Sequence, residues 1–304
     1  MVIVMEYRQI TEADLPQAKL LWKQAFNDSD AYIDFNFERN IDLSFSLGGF
    51  DRERLATMLY MMKKTLACTL TGNRVDVYFI AGVATDEAYR RQGLASVILN
   101  SALEMLYAMN VPVVYLYQFE HQFYKKQGYH TISWMKKVTL GKTKFPDTQD
   151  DIVIRNYSRK EWPKPELLLD MYNHFAKRKR SYFLRTKTTF IDMLDTMAVD
   201  DGRASVLYRN EQPIGYALYY LKKKKIVSVE TLFIDEEAAK AGISAMQKKF
   251  SGEIFVDDSF EIPDAETEEY AMMHIVNMEE AKRVFGAKTV EDILGIEVMI
   301  LEQY

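Results

Sequence analysis

The residues with the clearest chemical potential form one short run, Arg90-Arg91-Gln92-Gly93-Leu94-Ala95. An apolar segment at 77–83 precedes it and is rich in the branched and aromatic side chains that favour a buried strand. After it, apolar residues recur at three- and four-residue spacing and predict a helix over 94–109. The first N–H groups of a helix have no partner within the helix, and the helix dipole adds partial positive charge there. Arginines and a glycine at such a point are therefore suited to binding a phosphate or pyrophosphate group.

The spacing Arg-x-x-Gly-x-Ala resembles motif A of the GCN5-related N-acetyltransferase (GNAT) superfamily, and it differs from the Rossmann and P-loop patterns. A second segment, QFEHQFYKKQGY at 118–129, resembles motif B of the same superfamily, in which an aromatic pair precedes a helix ending in Gly-Tyr or Gly-Phe. Both motifs occur in the family's order and at a compatible separation. The resemblance implies an N-acetyltransferase that moves the acetyl group of acetyl-CoA to a primary amine by direct attack.

The resemblance also implies which residues hold acetyl-CoA as the co-substrate. Main-chain N–H groups at the end of the 77–83 strand are suited to orienting the thioester carbonyl. The pyrophosphate is expected on the loop and first helical turn. The candidate cofactor-binding residues are Val83, Ala84, Thr85, Arg90, Arg91, Gln92, Gly93, Leu94, Ala95 and Ser96.

Acetyl transfer also needs a proton donor for the departing thiolate and a base for the amine. The resemblance places a catalytic tyrosine on the motif B helix, and Tyr124 occupies that position. Since a phenol is about as acidic as a thiol, Tyr124 is the candidate donor. His121, one turn earlier, is a candidate for a supporting position beside it.

The general base is left open by the sequence. Glu120, Asp28 and Asp30 are candidate carboxylates, although acidic loop residues are most often only solvated. In acetyltransferases of the Eis (enhanced intracellular survival) type, the C-terminal carboxylate of the chain serves as the base. That resemblance makes Tyr304 the second candidate catalytic residue.

The elements that must position these residues follow in a recognisable order. A strand at 7–10 leads to Thr11-Glu12-Ala13-Asp14, a helix-start signature. Gly48 and Gly49 indicate a break, and 71–74 reads as the turn of a hairpin between strands. Strands at 111–117 and 131–140 flank the motif B helix. This order is the one expected of a GNAT domain.

A second unit begins at Ile152 and repeats this plan. Helices are predicted at 165–180, 188–197 and 236–250, and strands at 203–209, 214–220, 226–233 and 253–256. Where motif A would stand, the chain reads FIDEEAAK at 233–240, which has an acidic turn and no Arg-x-x-Gly. We interpret this unit as a degenerate copy that packs without binding cofactor.

Two such units resemble the Eis type, whose members usually carry a third domain of the sterol-carrier-protein type. The segment 271–277 resembles the entry strand of that domain. The predicted organisation is an N-terminal GNAT domain at 1–145, a degenerate GNAT-like domain at 146–265 and a C-terminal tail at 266–304. The fold class is α+β: two tandem domains, each with a central mixed β-sheet flanked by helices, and a short C-terminal appendage.

Composition restricts the partners. With a formal net charge of −5 and a pI near 5.6, neither a nucleic acid nor a membrane is expected as a partner. The single cysteine, Cys68, fits a reducing cytoplasm, and the four histidines show no metal-ligand spacing, so no metal is expected. We expect a cytoplasmic enzyme acting on a small-molecule or peptide amine, in a chain able to form homo-oligomers. A non-catalytic acyl-CoA-binding or regulatory protein on the same scaffold is the alternative.

Overall fold

The structure is a computed structural model that describes residues 5–142 and 152–301. In chain order the strands are β1 (Met5–Gln9), β2 (Ser46–Asp51), β3 (Arg54–Cys68), β4 (Arg74–Thr85), β5 (Val113–Tyr117), β6 (His130–Leu140), β7 (Ile152–Ser158), β8 (Ser181–Phe183), β9 (Arg203–Arg209), β10 (Gln212–Lys222), β11 (Lys225–Phe233), β12 (Ser251–Asp257), β13 (Glu266–Ile275) and β14 (Val298–Met299). The helices are α1 (Leu15–Phe26), α2 (Asp30–Arg39), α3 (Leu94–Ala108), α4 (His121–Lys126), α5 (Pro165–Ala176), α6 (Lys187–Val199), α7 (Glu236–Gln247), α8 (Met278–Phe285) and α9 (Val290–Leu294). Short 3-10 helices lie at Glu12–Asp14, Leu43–Phe45 and Glu87–Tyr89. No helix of these residues is long and apolar enough to cross a membrane.

The chain forms two compact units, and both are discontinuous in sequence. The first contains the chain through His130 together with Ala271–Ile296. The second contains Thr131–Tyr270 and the segment that begins at Glu297. These bounds differ from the predicted ones, because the residues expected to form a C-terminal appendage are divided between the two units. The polar segment 141–151 is predicted from its sequence to be a linker, and its residues 143–151 lie outside the part of the chain that the structure describes.

The first unit is built on a mixed sheet in which the strand order is β1-β2-β3-β4-β5. The strands β1 to β4 run antiparallel to their neighbours, and β5 runs parallel to β4. On its other edge β5 pairs antiparallel with 271–275 of β13. Helices α1 and α2 lie between β1 and β2 in sequence, and α3 connects β4 to β5. The predicted mixed sheet flanked by helices is confirmed.

The second unit repeats this arrangement with the strand order β7-β9-β10-β11-β12-β6. Its first four strands are antiparallel neighbours, β12 runs parallel to β11, and β6 pairs antiparallel with β12. Helix α7 connects the parallel pair, as α3 does in the first unit. Each sheet therefore has the same sequence of strand senses. The sixth strand of the first sheet, 271–275 of β13, comes from late in the chain, whereas that of the second sheet, β6, precedes β7 directly in strand order along the chain.

Local sequence explains how the first unit begins. The side chain of Asp14 accepts hydrogen bonds from the backbone N–H and the hydroxyl of Thr11 (2.9 and 2.7 Å), which confirms the predicted helix-start signature. Helix α1 ends at Asn27 in the left-handed region (φ 57°). Helix α2 follows at once, because Ser29 accepts a hydrogen bond from Tyr32 N (3.0 Å) as its N-cap.

The two sheet faces of the first unit have separate cores. Alternate residues of β3 point to opposite faces, so Leu59 packs under α3 while Met58 and Tyr60 pack under α1 and α2. On the α1 side, Trp22 contacts the rings of Phe37 and Tyr60 at centroid distances of 5.8 Å each. The side chains of β3 are therefore held by packing on both faces of the sheet, against α3 on one face and against α1 and α2 on the other.

The prediction of a break at Gly48 and Gly49 is wrong, since both lie within β2. A Cβ at Gly48 would lie 2.6 Å from the ring of Phe50, and one at Gly49 would lie 2.7 Å from Cγ2 of Thr57. These glycines allow neighbouring side chains to approach the strand closely and do not interrupt it.

A fully buried ion pair lies in the core of the second unit. Arg185 donates two hydrogen bonds to the carboxylate of Glu230 (2.8 Å each), and these side chains are 1% and 0% exposed. The hydroxyl of Tyr216 also donates to Glu230, and the guanidinium lies 4.3 Å from the ring centroid of Tyr172. Burial, and then the charge of Glu230, hold the pKa of Tyr216 well above its usual value. A charge in such a place is tolerated only while its partner is present.

We predict that Glu230→Gln destabilises the protein by about 3–5 kcal/mol, because it removes the buried carboxylate charge to which Arg185 donates two hydrogen bonds. The matched control is Glu211→Gln, which breaks the exposed pair with Arg155 (3.0 Å) and should cost less than about 1 kcal/mol. Calorimetric unfolding of both variants measures the difference. Equal melting temperatures for the two would contradict the prediction.

Candidate functional site

The site is organised around a bulge near the end of β4. The antiparallel register pairs Ala81 with Tyr60 and then Ala84 with Met58, so β4 carries an extra residue at this point. Gly82 lies in the bulge with φ 61°, a left-handed conformation that favours glycine. A Cβ there would lie 2.6 Å from Trp22 Cζ3 and 2.7 Å from Tyr60 Cδ2. Packing of both rings against the bare backbone therefore holds the bulge in place.

Beyond the paired region, β4 and β5 part. Their parallel register covers 78–80 of β4, after which β4 continues to Thr85 while β5 ends at Tyr117. Val83, Ala84 and Thr85 are the last residues of β4, and β3 holds their other edge. The Thr57 hydroxyl donates to Ala84 O (2.9 Å) and lies 2.9 Å from the Thr85 hydroxyl. The opening offers main-chain N–H groups to a carbonyl oxygen.

The connection from β4 to α3 is braced by hydrogen bonds and an ion pair of Asp86 and Tyr89. Asp86 accepts from Ala88 N (2.9 Å) and pairs with Arg54 (2.9 Å). Partial burial alone would raise the pKa of Asp86, but the hydrogen bonds from Arg54 and Ala88 hold this pKa below its usual value. Tyr89 donates its hydroxyl proton to Asp51 (2.8 Å). These contacts fix the 3-10 turn at Glu87–Tyr89.

The four residues that follow are exposed and form the floor of an anion site. Arg90 Nε donates to Thr85 O (3.2 Å), and Gln92 Nε2 donates to Ala88 O (3.4 Å). Arg91 and Gly93 have positive φ, 63° and 80°, and no atom lies within 4 Å of where a Cβ at Gly93 would be. The space above Gly93 is therefore open.

Helix α3 begins at Leu94 directly above this floor. Its first internal hydrogen bonds run from Ser96 N and Val97 N to Gly93 O (3.0 and 3.2 Å). The N–H groups of Leu94 and Ala95 precede these bonds and have no partner within the helix. Together with the dipole of α3 and the charges of Arg90 and Arg91, they form a cradle suited to a pyrophosphate. The structure thus places Arg90 through Ser96 together at the end of β4.

Tyr124 lies on α4 with its ring in the core. The side chain is 7% exposed and contacts Phe123 and Tyr129 at centroid distances of 5.0 and 5.8 Å. It belongs to the same apolar cluster as Val83 of β4 and Leu116 of β5. Burial raises the pKa of Tyr124 to about 12, so the phenol is protonated throughout the physiological range. Among the described residues no hydrogen-bond partner of its hydroxyl is found.

The candidate bases occupy different situations. Tyr304 lies outside the described residues. Asp28 accepts from Trp22 Nε1 (2.8 Å), and Asp30 pairs with Lys23 (3.2 Å), so both carboxylates have structural roles. Glu120 is exposed at the N-cap of α4, and His121 is the first residue of that helix.

Sequence reasoning missed Gly82 and the braces Arg54 and Asp51. A glycine inside the apolar run 77–83 is itself a signal of a bulge. The braces have no local signal, because Arg54 and Asp51 reach their partners across 32 and 38 residues.

The corresponding place in the second unit has a different shape. Between β11 and α7 there are two residues, Ile234 and Asp235, and Asp235 caps the helix by accepting from Ala238 N (2.8 Å). The ring of Phe233 lies so close to Gly215 and Gly242 that a Cβ on either would approach it to 2.5 or 2.3 Å. Because Asp235 caps α7 and the ring of Phe233 fills the space beside it, this position has no counterpart of the cradle.

One group of acidic side chains, Asp257, Asp258 and Glu297, has its oxygens close enough to hold a metal ion. The ammonium group of Lys179 already bonds to two of them, Asp257 at 2.7 Å and Glu297. The positive charge that such a group attracts is thus supplied by the protein.

Comparison with known proteins adds the following. Residues 6–132 match the family model described as acetyltransferase (GNAT) domain. A probable N-acyltransferase from Enterococcus faecalis V583 superposes with a TM-score of 0.67 at 19% identity, over 91% of this chain and 74% of that one. Eis1 from Mycobacterium abscessus gives 0.66 at 15% identity, over 92% and 76%. A putative acetyltransferase from Pyrococcus horikoshii gives 0.54 at 16% identity, over 98% and 96%. No curated protein matches in sequence.

We predict that Gly82→Ala is more damaging than Gly72→Ala. Both glycines have positive φ, 61° and 74°, so each alanine costs about 1–2 kcal/mol of backbone strain. At Gly72 nothing lies within 4 Å, whereas at Gly82 the new Cβ collides with Trp22 and Tyr60, which adds about 1–3 kcal/mol. Denaturant unfolding of both variants checks this, and equal losses would show that the bulge is not fixed by its aromatic neighbours.

Proposed function

We propose that the chain, whose residues 6–132 match the GNAT acetyltransferase domain, transfers an acetyl group from acetyl-CoA to a primary amine. The observation that carries the proposal is the juxtaposition at the end of β4. There the glycine bulge, the parting from β5 and the open start of α3 lie within one short segment, 81–96. This segment offers one place for a carbonyl and another for a pyrophosphate.

In the proposed reaction, acetyl-CoA binds with its pyrophosphate on the cradle of Arg90 through Ser96. Its thioester carbonyl accepts hydrogen bonds from main-chain N–H groups of Val83, Ala84 or Thr85. These donors are held by the sheet before the reaction begins, so they stabilise the oxyanion without reorganising. The unprotonated amine attacks the carbonyl carbon, the C–N bond forms, and the C–S bond then breaks with its electron pair leaving on sulfur.

Tyr124 is the proposed proton donor to that sulfur. With a pKa of about 12 its hydroxyl is a weaker acid than a thiol, so it remains a neutral donor and its hydrogen bond strengthens as charge develops on sulfur. The proton lost by the amine needs an acceptor. The carboxylate of Tyr304 is proposed for that role on the resemblance to Eis-type enzymes.

We further propose that the second unit is a degenerate copy that binds no cofactor. Its repeated strand senses support a common plan with the first unit. The capped start of α7 and the packing of Phe233 support the loss of the cradle. One CoA per chain is therefore the expected stoichiometry.

The alternative is an acyl-CoA-binding or regulatory protein that catalyses nothing. Incubation with acetyl-CoA and a panel of amines (aminoglycosides, polyamines, lysine peptides and peptide N-termini) separates the two, with release of free thiol as the readout. An enzyme releases thiol only when its amine is present. A sensor binds CoA and releases none.

We predict that Gly93→Glu abolishes CoA binding, because the new side chain enters the open space over the cradle and adds negative charge beside the pyrophosphate. The matched control is Gly72→Glu, which has a similar positive φ (74° against 80°) and the same open surroundings in a distant turn. Titration calorimetry with CoA should give one site for the parent and the control and none for Gly93→Glu. Unchanged affinity in Gly93→Glu would remove the basis for the cradle.

We predict that Tyr124→Phe lowers kcat by about 10²–10⁴-fold, since it removes the proton donor and keeps the ring. CoA affinity and melting temperature should hardly change. The control is Tyr129→Phe, which makes the same chemical change five residues away on a fully buried ring. The control should retain its kcat. A Tyr124→Phe kcat within about threefold of the parent, without a pre-steady-state burst, would exclude Tyr124 as the donor.

A further inference from the structure

A two-residue hairpin in the second unit presents four consecutive lysines at its tip. Lys222 and Lys225 face each other as the last pair of β10 and β11. Lys223 and Lys224 form the turn with positive φ, 51° and 66°, as in a tight hairpin of matching twist. All four side chains are exposed. The hairpin therefore holds its charges in a fixed arrangement at the end of a sheet.

The sheet register brings further lysines to the same end. Lys225 pairs with Ser251 at the start of β12. Lys248, the C-cap of α7, and Lys249 precede that strand by three and two residues. The next residue of β12 pairs with Leu140 at the end of β6, two residues before Lys142. These three lysines are exposed as well. We call this group the lysine edge: Lys142, Lys222, Lys223, Lys224, Lys225, Lys248 and Lys249.

Acidic groups at this end of the sheet are few among the described residues. Glu253 follows on β12, where it pairs with Val227 and Thr139. Asp200 and Asp201 lie just before β9, and Asp201 pairs with Arg159 at 3.3 Å. The formal net charge of the whole chain is −5, so the lysine edge opposes the average charge of the molecule. Since charges are screened over about 8 Å in physiological salt, a ligand at this edge meets the local lysines and not that average.

Exposed aliphatic side chains adjoin the lysines on the same hairpin. Leu221 is 46% exposed and Val227 is 41% exposed. They lie one and two residues from Lys222 and Lys225, respectively. Charge together with adjacent exposed apolar groups is the combination found on surfaces that rest at a lipid headgroup boundary.

We propose that the lysine edge docks the protein on an anionic phospholipid surface. Clusters of four to eight basic residues bind anionic lipids through the summed attraction of each charge to the headgroups. A nucleic acid is less well matched, because the edge has no arginine fork for phosphates or bases and its exposed apolar residues are aliphatic, without an aromatic face for stacking. The proposal concerns the second unit and is independent of acetyl transfer by the first.

The test is flotation of the protein with vesicles of phosphatidylcholine alone and of phosphatidylcholine mixed with phosphatidylserine. The parent protein should bind the mixed vesicles and dissociate from them when salt is added. It should not bind the vesicles of phosphatidylcholine alone. Lys223→Gln with Lys224→Gln should weaken binding by about 25-fold, since each lysine near the surface is worth about fivefold. Lys177→Gln with Lys240→Gln removes the same charge near the other end of β11, where Arg178 bonds to Ile234 O and α7 begins, and should bind as the parent does.

A third variant separates lipid from other polyanions. Leu221→Ser keeps every lysine, so it should weaken vesicle binding while leaving any binding to heparin or single-stranded RNA unchanged. Equal vesicle binding by the two double-glutamine variants would overturn the proposal. So would tighter binding to RNA than to mixed vesicles, or vesicle binding indifferent to Leu221→Ser. Thermal unfolding of each variant confirms that the comparisons are made on folded protein.

Discussion

The first unit depends on how the backbone of β4 satisfies its polar groups. Along most of its length β4 is paired on both edges, with β3 and then with β5. Past Ile80 the β5 edge is lost, although residues 81–85 are still partly or fully buried, and buried main-chain groups require partners. The bulge at Gly82 redirects the strand there, and Trp22 and Tyr60 prevent it from relaxing. A thioester carbonyl is a chemically suitable partner for the groups left over.

Two arginines at the cradle, Arg90 and Arg91, are exposed to solvent. Two nearby acids are engaged by other groups, Asp86 by Arg54 and the backbone and Asp51 by Tyr89, while Glu87 is exposed. Arg90 and Arg91 remain exposed at the start of α3. These two cations and the unpaired N–H groups at the start of α3 are the features on which the proposed phosphate site rests in a protein of net negative charge.

The features that could be predicted from the sequence are those formed by residues close together in the chain. Features that depend on contacts between distant residues could not be predicted. The helix at 94, the capping signal at Thr11 and the helix bearing Tyr124 depend on neighbouring residues, and the sequence predicted all three. Gly82 is a local indication of the bulge, but the apolar residues around it predict an uninterrupted strand. Nothing local connects Arg185 to Glu230, or Val113 of β5 to Ile275 of β13. The glycines of β2 were misread because their function is close packing, which only the folded neighbours reveal.

The late position of β13 in the chain has a consequence for the order in which the first unit can be made. The first unit lacks β13 until synthesis has passed Ile275, long after its other five strands have left the ribosome. The nascent first sheet therefore waits with one side of β5 uncovered, a state in which unpaired strand edges are exposed to aggregation. Completion of the first sheet is consequently delayed to the last part of translation. A ribosome stalled shortly before β13 would carry both motifs of the acetyltransferase domain and still not a finished sheet.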